Sequence, residues 1–444
     1  MQNDIYLRVF REKSELVLPD GSTEIFLEGA MDTAAIHRLK RIVYAFSQGY
    51  LEKRITTLKE SANEAQLVTL SEQEVYLLER LINAMTSEVG RALIGLTIMQ
   101  LCIKAIEPQQ SVRLHKGSNS SRDFSWRGGI SMRSLDKRFI TPALRKFDLL
   151  KLNADGFMMT RSLAENYPYS FIYKANIRGA KAEWIQIVEG VETGIIQPEI
   201  ALDYVLSKLI NQAETFKALA DDTLALLDTI VSYEDKIDKN IILDLMSIHI
   251  ATSNYAARIM EISMHSLMQS IIESGSLGTA DLKPLSQMRS ANKKHGNIGD
   301  IEIIENEDIV ESWDAKYGKT YLRDEIEELV DKLAIHPHVM TVGFVTSGKP
   351  ERVEELSVRF EQIEMMYGVY PRILTFGMWV DYQFNRVTQN GLLHESEIAK
   401  NWLRAYTESI AQKRRDVAPI DEPCYEWLNE LKLIFGTVIQ DLTI

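Results

Sequence analysis

The chain has 444 residues, of which 45% are hydrophobic and 25% are charged, and its formal net charge is −13 at pH 7. This length predicts two or three domains, and this composition excludes a largely disordered or fibrous chain. We expect no membrane-spanning segment and, because the N-terminal sequence lacks the apolar centre of a signal peptide, a cytoplasmic protein. Cys102 and Cys424 are the only cysteines. Two cysteines so far apart argue against a disulfide framework or a zinc site, so both are predicted to be buried thiols.

The N-terminal region is predicted to be a small β structure followed by a helix. The segments IYLRVF and TEIFLEG flank the turn Pro19–Gly21, which predicts a hairpin within residues 1–30. From about Asp32 to Ala62 apolar residues recur mostly at three- and four-residue steps. This spacing is typical of a helix, with Asp32 or Thr33 as its N-cap.

Two further helices complete the predicted scaffold. Ser71 and Glu74 have the spacing of a capping box that opens the helix EQEVYLLERLINAMTSEV. The segment RALIGLTIMQLCIKAI is apolar on most sides, so it is predicted to be a buried helix.

The segment from Ser111 to Lys151 is strongly basic although the whole chain is acidic. It holds ten basic and three acidic residues, a local charge of +7, which leaves −20 for the rest of the chain. This concentration of positive charge is typical of a surface that contacts a phosphate backbone.

Part of the basic segment resembles the second half of a winged helix. Leu135 to Phe147 is predicted to be a helix, or to begin as one at Thr141 because Pro142 is costly inside a helix. The next residues, LLKLNADGFMMT, predict two short strands around a turn. In a winged helix the helix enters the major groove and the hairpin touches phosphate. The helix residues predicted to contact DNA are Lys137, Arg138, Arg145 and Lys146.

Three arginines upstream are further candidate DNA contacts, because arginine reads guanine in bidentate fashion. They lie in KGSNSSRDFSWRGGISMR and are Arg122, Arg127 and Arg133. The alternative is a mobile surface loop with solvated arginines. We predict residues 1–178 to be a helical, winged-helix-like DNA-recognition domain.

The second predicted domain, residues 179–444, begins with helices. The stretch from about Ala180 to Leu224 is predicted to be largely helical, and a long helix covers Asn240 to Ser274. Arg258 and Glu261 lie on the second of these helices.

The stretch from Gly299 to Lys316 is predicted to be a β-hairpin. Apolar residues on both sides of a polar turn indicate two strands. Side chains alternate along a strand, so Asp300 shares a face with Glu302, and Asp314 shares a face with Lys316. A hairpin therefore brings Asp300, Asp314 and Lys316 together. Two carboxylates offer oxygen ligands to Mg²⁺, and a nearby lysine holds an attacking water or offsets charge on phosphorus.

An aspartate at a strand start, followed after thirteen residues by Asp-x-Lys, resembles the PD-(D/E)XK nuclease signature, with Gly299-Asp300 in place of Pro-Asp. The segment LKPLSQMRSANKKHGNIGDIEI, with Arg258 to Glu261, also looks loosely like restriction enzymes of the SacI type. The resemblance implies an α/β core, Mg²⁺ bound by Asp300 and Asp314, and Lys316 assisting the attacking water. It also implies a helix glutamate facing the metal, either Glu261 or Glu273.

The residues after the hairpin predict the rest of such a core. Tyr321 to Ala334 is an amphipathic helix, HVMTVGFVTSG a buried strand, ERVEELSVRFEQIEMMYG a helix ending at Gly368, and RILTFGMWV another strand. The fold class is therefore a mixed α+β and α/β chain, in which a helical N-terminal domain precedes a mixed sheet flanked by helices. The final 60 residues are predicted to be helical.

These features predict a Mg²⁺-dependent, site-specific endonuclease of the type II restriction class that cuts double-stranded DNA. A palindromic target implies a homodimer. Three alternatives remain open at this point: a winged-helix DNA-binding regulator without catalysis, a helical scaffold protein, and an enzyme of a different class. The chain contains no Walker glycine loop, nucleophile elbow or dinucleotide fingerprint.

Overall fold

The structure, a computed structural model, is a mixed α+β protein that is mostly helical and contains a three-stranded and a five-stranded sheet. The described residues are 5–60, 70–86, 88–120, 123–150, 152–177, 179–233, 236–285, 296–388, 394–413 and 423–443. The chain divides into two compact units, Met1–Thr215 and Phe216–Ile444.

The three-stranded sheet of unit 1 is an antiparallel meander. Its strands are β1 (Tyr6–Val9), β2 (Lys13–Val17) and β3 (Thr23–Leu27), in the order β1-β2-β3. The predicted hairpin of IYLRVF (β1) with TEIFLEG (β3) is wrong, because β2 lies between these two strands and pairs with both. The predicted turn does join β2 to β3, where Gly21 adopts a positive φ of 83°.

Helices form the rest of unit 1. They are α1 (Thr33–Ser47), α2 (Tyr50–Glu60), α3 (Glu72–Asn83), α4 (Glu88–Ile106), α5 (Met132–Leu135), α6 (Thr141–Lys146), α7 (Lys181–Thr193) and α8 (Pro198–Ser232), within which the division between the units falls.

Local sequence signals explain where several of these helices begin. Asp32 caps α1 by accepting a hydrogen bond from the backbone N–H of Ala35 at 2.7 Å, and Ser71 with Glu74 forms the predicted capping box of α3. The helix predicted from Asp32 to Ala62 is interrupted between α1 and α2, where Gly49 has a positive φ of 75°.

Helix α4 is the buried helix that its composition predicted. Its window Val89–Ile106 is long and apolar enough to cross a membrane, contrary to our expectation that the chain holds no such segment. However, 83% of this window is buried inside the protein. Cys102 on α4 is buried as predicted, whereas Cys424 is only partly buried.

The predicted domain boundary at residue 178 falls inside unit 1. Trp184 on α7 and Leu202 on α8 are buried in the same core as Leu93 on α4. Because these side chains are excluded from water together, the residues after 178 belong with the N-terminal helices, and the division comes after Thr215.

The basic helix, defined here as residues 132–146, consists of α5, a π-helical stretch Asp136–Ile140, and α6. It starts before both predicted starting points. The β-hairpin predicted after it is wrong: among the described residues of that segment the backbone forms 3₁₀ turns at Phe157–Met159 and Arg161–Leu163.

A buried carboxylate explains why this segment is not a hairpin. Asp136, fully buried on the basic helix, accepts hydrogen bonds from Thr141 Oγ1 at 2.6 Å and from the backbone N–H of Met158 at 2.8 Å. Gly156 turns the chain with a positive φ of 98°, and Phe157 then packs into the unit 1 core. This folded-back segment has no wing that would reach a phosphate.

Unit 2 contains the helices α9 (Lys239–Thr252), α10 (Ala256–Glu273), α11 (Arg323–Leu333), α12 (Val353–Tyr367), α13 (Phe376–Thr388), α14 (Glu395–Glu408) and α15 (Cys424–Thr443). Its strands are β4 (Asp281–Leu282), β5 (Ile301–Glu305), β6 (Asp308–Lys316), β7 (Thr341–Thr346) and β8 (Arg372–Thr375).

These strands form one mixed sheet in the order β4-β5-β6-β7-β8. The pairs β4–β5 and β5–β6 are antiparallel, and β6–β7 and β7–β8 are parallel. One face packs Trp313 and Val345 against α10, α13 and α14, and the other packs Phe344 against α11 and α12. The predicted mixed sheet flanked by helices is confirmed at this level.

Two predicted elements of unit 2 differ from the structure. The single helix predicted from Asn240 to Ser274 breaks between α9 and α10, where Tyr255 adopts a left-handed conformation with φ 61°. The strand predicted for RILTFGMWV ends at Thr375, and the chain continues as α13. The buried residues of α13, which include Trp379 and Val380, recur at the three- and four-residue steps of a helix.

Candidate functional site

The predicted hairpin is formed by β5 and β6. Its two-residue turn consists of Asn306 and Glu307, both with positive φ, as a type I′ turn requires. The register pairs Ile301 with Trp313, and a bulge follows at Ile303 and Ile304. The residue before β5 therefore lies beside the end of β6.

Two hydrogen bonds attach Asp300 to that end of β6. Its backbone N–H donates to the carbonyl of Trp313 at 3.0 Å, and its Oδ2 accepts from the backbone N–H of Ala315 at 3.0 Å. Asp314 and Lys316, two residues apart on β6, lie on one face, and Lys316 Nζ is 2.8 Å from Asp314 Oδ2. The structure thus brings Asp300, Asp314 and Lys316 together.

Asp314 is buried, Asp300 is partly buried, and both carboxyl groups have a raised pKa. Burial, and then the negative charge of Asp300, raise the pKa of Asp314 to about 7. Burial and then Glu261 raise the pKa of Asp300. Burial alone would lower the pKa of Lys316, but Asp314 and Asp300 outweigh it and raise that pKa, so the ammonium stays protonated.

The carboxylate oxygens of Asp300 and Asp314 are the candidate ligands for a divalent cation. No group of three or more His, Cys, Asp or Glu side chains in the described part of the chain has the arrangement of a metal site. Mg²⁺, however, is commonly held by one or two carboxylates, with water and substrate phosphate as the other ligands. Asp314 Oδ1 is buried, and none of the described residues donates a hydrogen bond to it. A lone pair without a donor beside a second carboxylate fits a cation.

The structure distinguishes the two candidate helix glutamates. Glu261 on α10 is near enough to raise the pKa of Asp300, and its Oε2 is paired with Arg258. Glu273 lies three turns further along α10, is exposed, and accepts a hydrogen bond from Gln269 at 2.7 Å. Glu261 therefore borders Asp300, whereas Glu273 lies on an exposed part of α10.

Gly299 accounts for the departure from Pro-Asp. A Cβ at this position would lie 2.7 Å from Ser312 Oγ and 2.7 Å from the carbonyl oxygen of Trp313. The N–H of Gly299 also donates to Glu302 at 3.3 Å, and proline has no N–H. The close approach of the two strands here requires glycine.

The predicted DNA-contacting residues that the structure describes are all exposed; they are Arg127, Arg133, Lys137, Arg138, Arg145 and Lys146. Arg122 lies outside the described residues. Some are held by the folded-back segment, since Lys137 pairs with Asp155 at 3.2 Å and Arg145 donates to the carbonyl of Leu152 at 3.2 Å. By contrast Arg113, counted in the basic segment, is buried and paired with Glu189, so its charge serves the fold.

Sequence reasoning missed several polar residues around Asp314. A small pocket adjoins this carboxylate, and its polar lining includes Ser312, Glu325 and Lys332. The sequence analysis also assigned no role to Glu302, which is buried on β5. A usable signal was present: a charged residue between Ile301 and Ile303 in an apolar strand is a candidate for a buried, paired charge.

Comparison with protein-family models gives no match for the chain, and comparison with curated proteins gives no significant one.

Proposed function

We propose that the chain is a Mg²⁺-dependent endonuclease of double-stranded DNA, of the PD-(D/E)XK kind and the type II restriction class. The observation that carries this proposal is the meeting of Asp300, Asp314 and Lys316 at one end of the β5–β6 hairpin. Acids whose pKa values are raised by burial and by a neighbouring carboxylate are costly to a fold, and such arrangements cluster at functional sites.

Asp300 and Asp314 would hold the metal ion, with Asp314 Oδ1 as an oxygen that accepts no hydrogen bond from the part of the chain that the structure describes. When bound, the ion supplies Lewis-acid stabilisation of a phosphoryl oxygen. Lys316, kept protonated by its acidic neighbours, acts as a donor that orients a water or stabilises negative charge at phosphorus. Glu261 would adjust the charge around Asp300.

Target binding is assigned to the exposed cations of the basic helix. Lys137, Arg138, Arg145 and Lys146 project from one short helical stretch in an otherwise acidic chain. Lysine and arginine on phosphates supply affinity that falls as salt rises. A winged-helix regulator would have a β-hairpin after this helix. The segment there forms 3₁₀ turns instead, which argues against that alternative.

The proposal is tested by incubating the protein with plasmid or phage DNA and Mg²⁺, with EDTA as the control. Discrete fragments are expected with Mg²⁺ only. Asp314→Ala and Lys316→Ala should abolish cleavage yet still shift DNA in a gel, whereas Asp308→Asn, at an exposed position of the same hairpin, should cut normally.

Other outcomes would point elsewhere. DNA that is shifted but never cut would indicate a binding protein without catalysis, and an absence of any interaction would indicate a scaffold. Cleavage retained in Asp314→Ala would remove this site from the reaction.

A further inference from the structure

We propose that Glu302 and Lys283 form a positioning pair that fixes the chain immediately before Asp300 and so sets the direction of the Asp300 carboxylate. This positioning role rests on the proposed function, because the direction of the Asp300 carboxylate matters for the reaction only if Asp300 holds the metal ion.

Glu302 is a buried carboxylate that accepts hydrogen bonds from the segment before Asp300 and from Lys283. Its Oε1 accepts from the backbone N–H groups of Ile298 and Gly299, and its Oε2 accepts from Lys283 Nζ at 2.7 Å. Only 2% of the residue is exposed. Burying a carboxylate is costly unless hydrogen bonds and an opposite charge compensate it, and here the compensating groups come from the two residues before Asp300 and from one lysine.

Lys283 extends the same attachment. Its Nζ also donates to Asn297 Oδ1 at 2.8 Å, and its backbone N–H donates to the carbonyl of Glu302 at 2.9 Å. On the other side of the segment, Lys332 Nζ donates to the carbonyl of Ile298 at 2.8 Å. Residues 297–299 are therefore held by three side chains from β5, β4's end and α11.

This anchored segment leads directly into the candidate site. Asp300 follows Gly299, and its own bonds to Trp313 and Ala315 join it to β6. A segment of two or three residues free to turn would let the carboxylate rotate away from Asp314. Metal ligands commonly depend on such outer partners, whose loss costs about 10–100-fold in metal affinity.

A neighbouring carboxylate supplies a matched control. Glu311 on β6 is also buried, with 4% exposure, and accepts bonds from Trp313 Nε1 at 2.6 Å and Arg386 at 2.6 Å. These donors lie outside residues 297–300. Glu302→Gln and Glu311→Gln each remove one buried charge, so a general loss of stability affects both.

The first readout is the amide proton of Ala315, which donates to Asp300 Oδ2 and reports the carboxylate's position by NMR without metal or DNA. Glu302→Gln should move this resonance upfield and speed its hydrogen exchange, and Glu311→Gln should not. The second readout is Mn²⁺ affinity by calorimetry, expected to fall about tenfold or more in Glu302→Gln only. Lys283→Met, which leaves Glu302 both backbone donors, should show a smaller change of the same kind.

An Ala315 resonance that is unchanged in both Glu302→Gln and Lys283→Met would overturn the positioning role, as would equal effects from Glu311→Gln. A wild-type protein that neither binds Mn²⁺ nor cuts DNA would instead overturn the proposed function, while the Ala315 measurement would still decide the positioning role. If Glu302→Gln does not fold, Lys283→Met carries the same test.

Discussion

At the scale of single residues, the candidate site is held at a cost to stability. Asp314 is 7% exposed, lies beside a second carboxylate, and has one oxygen that accepts no hydrogen bond from the described residues. Lys316 compensates its charge directly. A fold that keeps such a group when an uncharged residue would pack more favourably is consistent with selection for chemistry rather than for stability.

Asp314→Asn is expected to stabilise the protein above neutral pH. The pKa of Asp314 is about 7 in the folded state against an ordinary value of 3.8. The folded state therefore binds this proton more tightly, and the stability it contributes is full below about pH 4 and is lost as pH rises through 7. The asparagine variant should be more stable than wild type by on the order of 1–3 kcal/mol at pH 8, with little difference at pH 4.

Urea unfolding at pH 4, 6 and 8 measures this difference, with Asp308→Asn as the exposed control. A difference that does not grow with pH would contradict the burial of an ionised Asp314.

Gly299→Ala is expected to displace the strand end that carries Asp300. The added Cβ would come within 2.7 Å of Ser312 Oγ and of the Trp313 carbonyl, and overpacking of this kind costs about 1–3 kcal/mol. Thermal unfolding should show the loss together with reduced metal binding. Gly348→Ala has open space around its Cβ and should behave as wild type, so equal effects of the two changes would refute the close-approach argument.

At the scale of elements, the basic helix combines an outer cationic face with a buried anchor. Asp136 holds the segment that follows it through Thr141 and Met158, while Lys137 and Arg138, the next two residues, point to solvent. The π-helical stretch inserts one extra residue into the helix at this point. Such stretches are frequent at functional sites.

Replacing Lys137 and Arg138 by glutamine should weaken DNA binding and flatten its dependence on salt. If both contact phosphates, the slope of log affinity against log salt should decrease by about 2. Fluorescence anisotropy at several salt concentrations measures the slope. The control carries Lys40→Gln and Lys217→Gln, two exposed lysines on other helices. If the two double variants had the same slope of log affinity against log salt, the DNA would bind at a surface other than the basic helix.

At the scale of the whole molecule, charge and site number constrain how the chain would work. The chain carries −13 in total, with +7 concentrated in one basic segment. The described residues hold one Asp300–Asp314–Lys316 group per chain, so cutting both strands of a duplex at once requires two copies. Two-fold assemblies are the commonest way to supply them.

We therefore expect a dimer on DNA and concerted cutting of both strands. Light scattering with a target duplex should give two chains per complex, and a plasmid time course should pass to linear DNA with little nicked circle. Accumulation of nicked circles by a monomer would contradict the homodimer and favour single-strand cutting.

Short-range signals in the sequence were sufficient for most individual elements. The caps of α1 and α3, the buried helix α4, the turn of the β5–β6 hairpin and the order of strands and helices after it all depend on residues within a few positions of one another. The alternation of side chains along β6 likewise puts Asp314 and Lys316 on one face, because that periodicity is a property of the strand itself.

Tertiary structure alone decided the features that depend on distant partners. The segment after the basic helix was predicted to be a hairpin. It forms 3₁₀ turns instead, because Asp136 binds its backbone and the core buries its apolar residues. The domain division moved past residue 178 because Trp184 shares a core with α4. Which glutamate borders Asp300, and which buried charge anchors residues 297–299, follow from contacts between elements, and these contacts leave no periodic trace in the sequence.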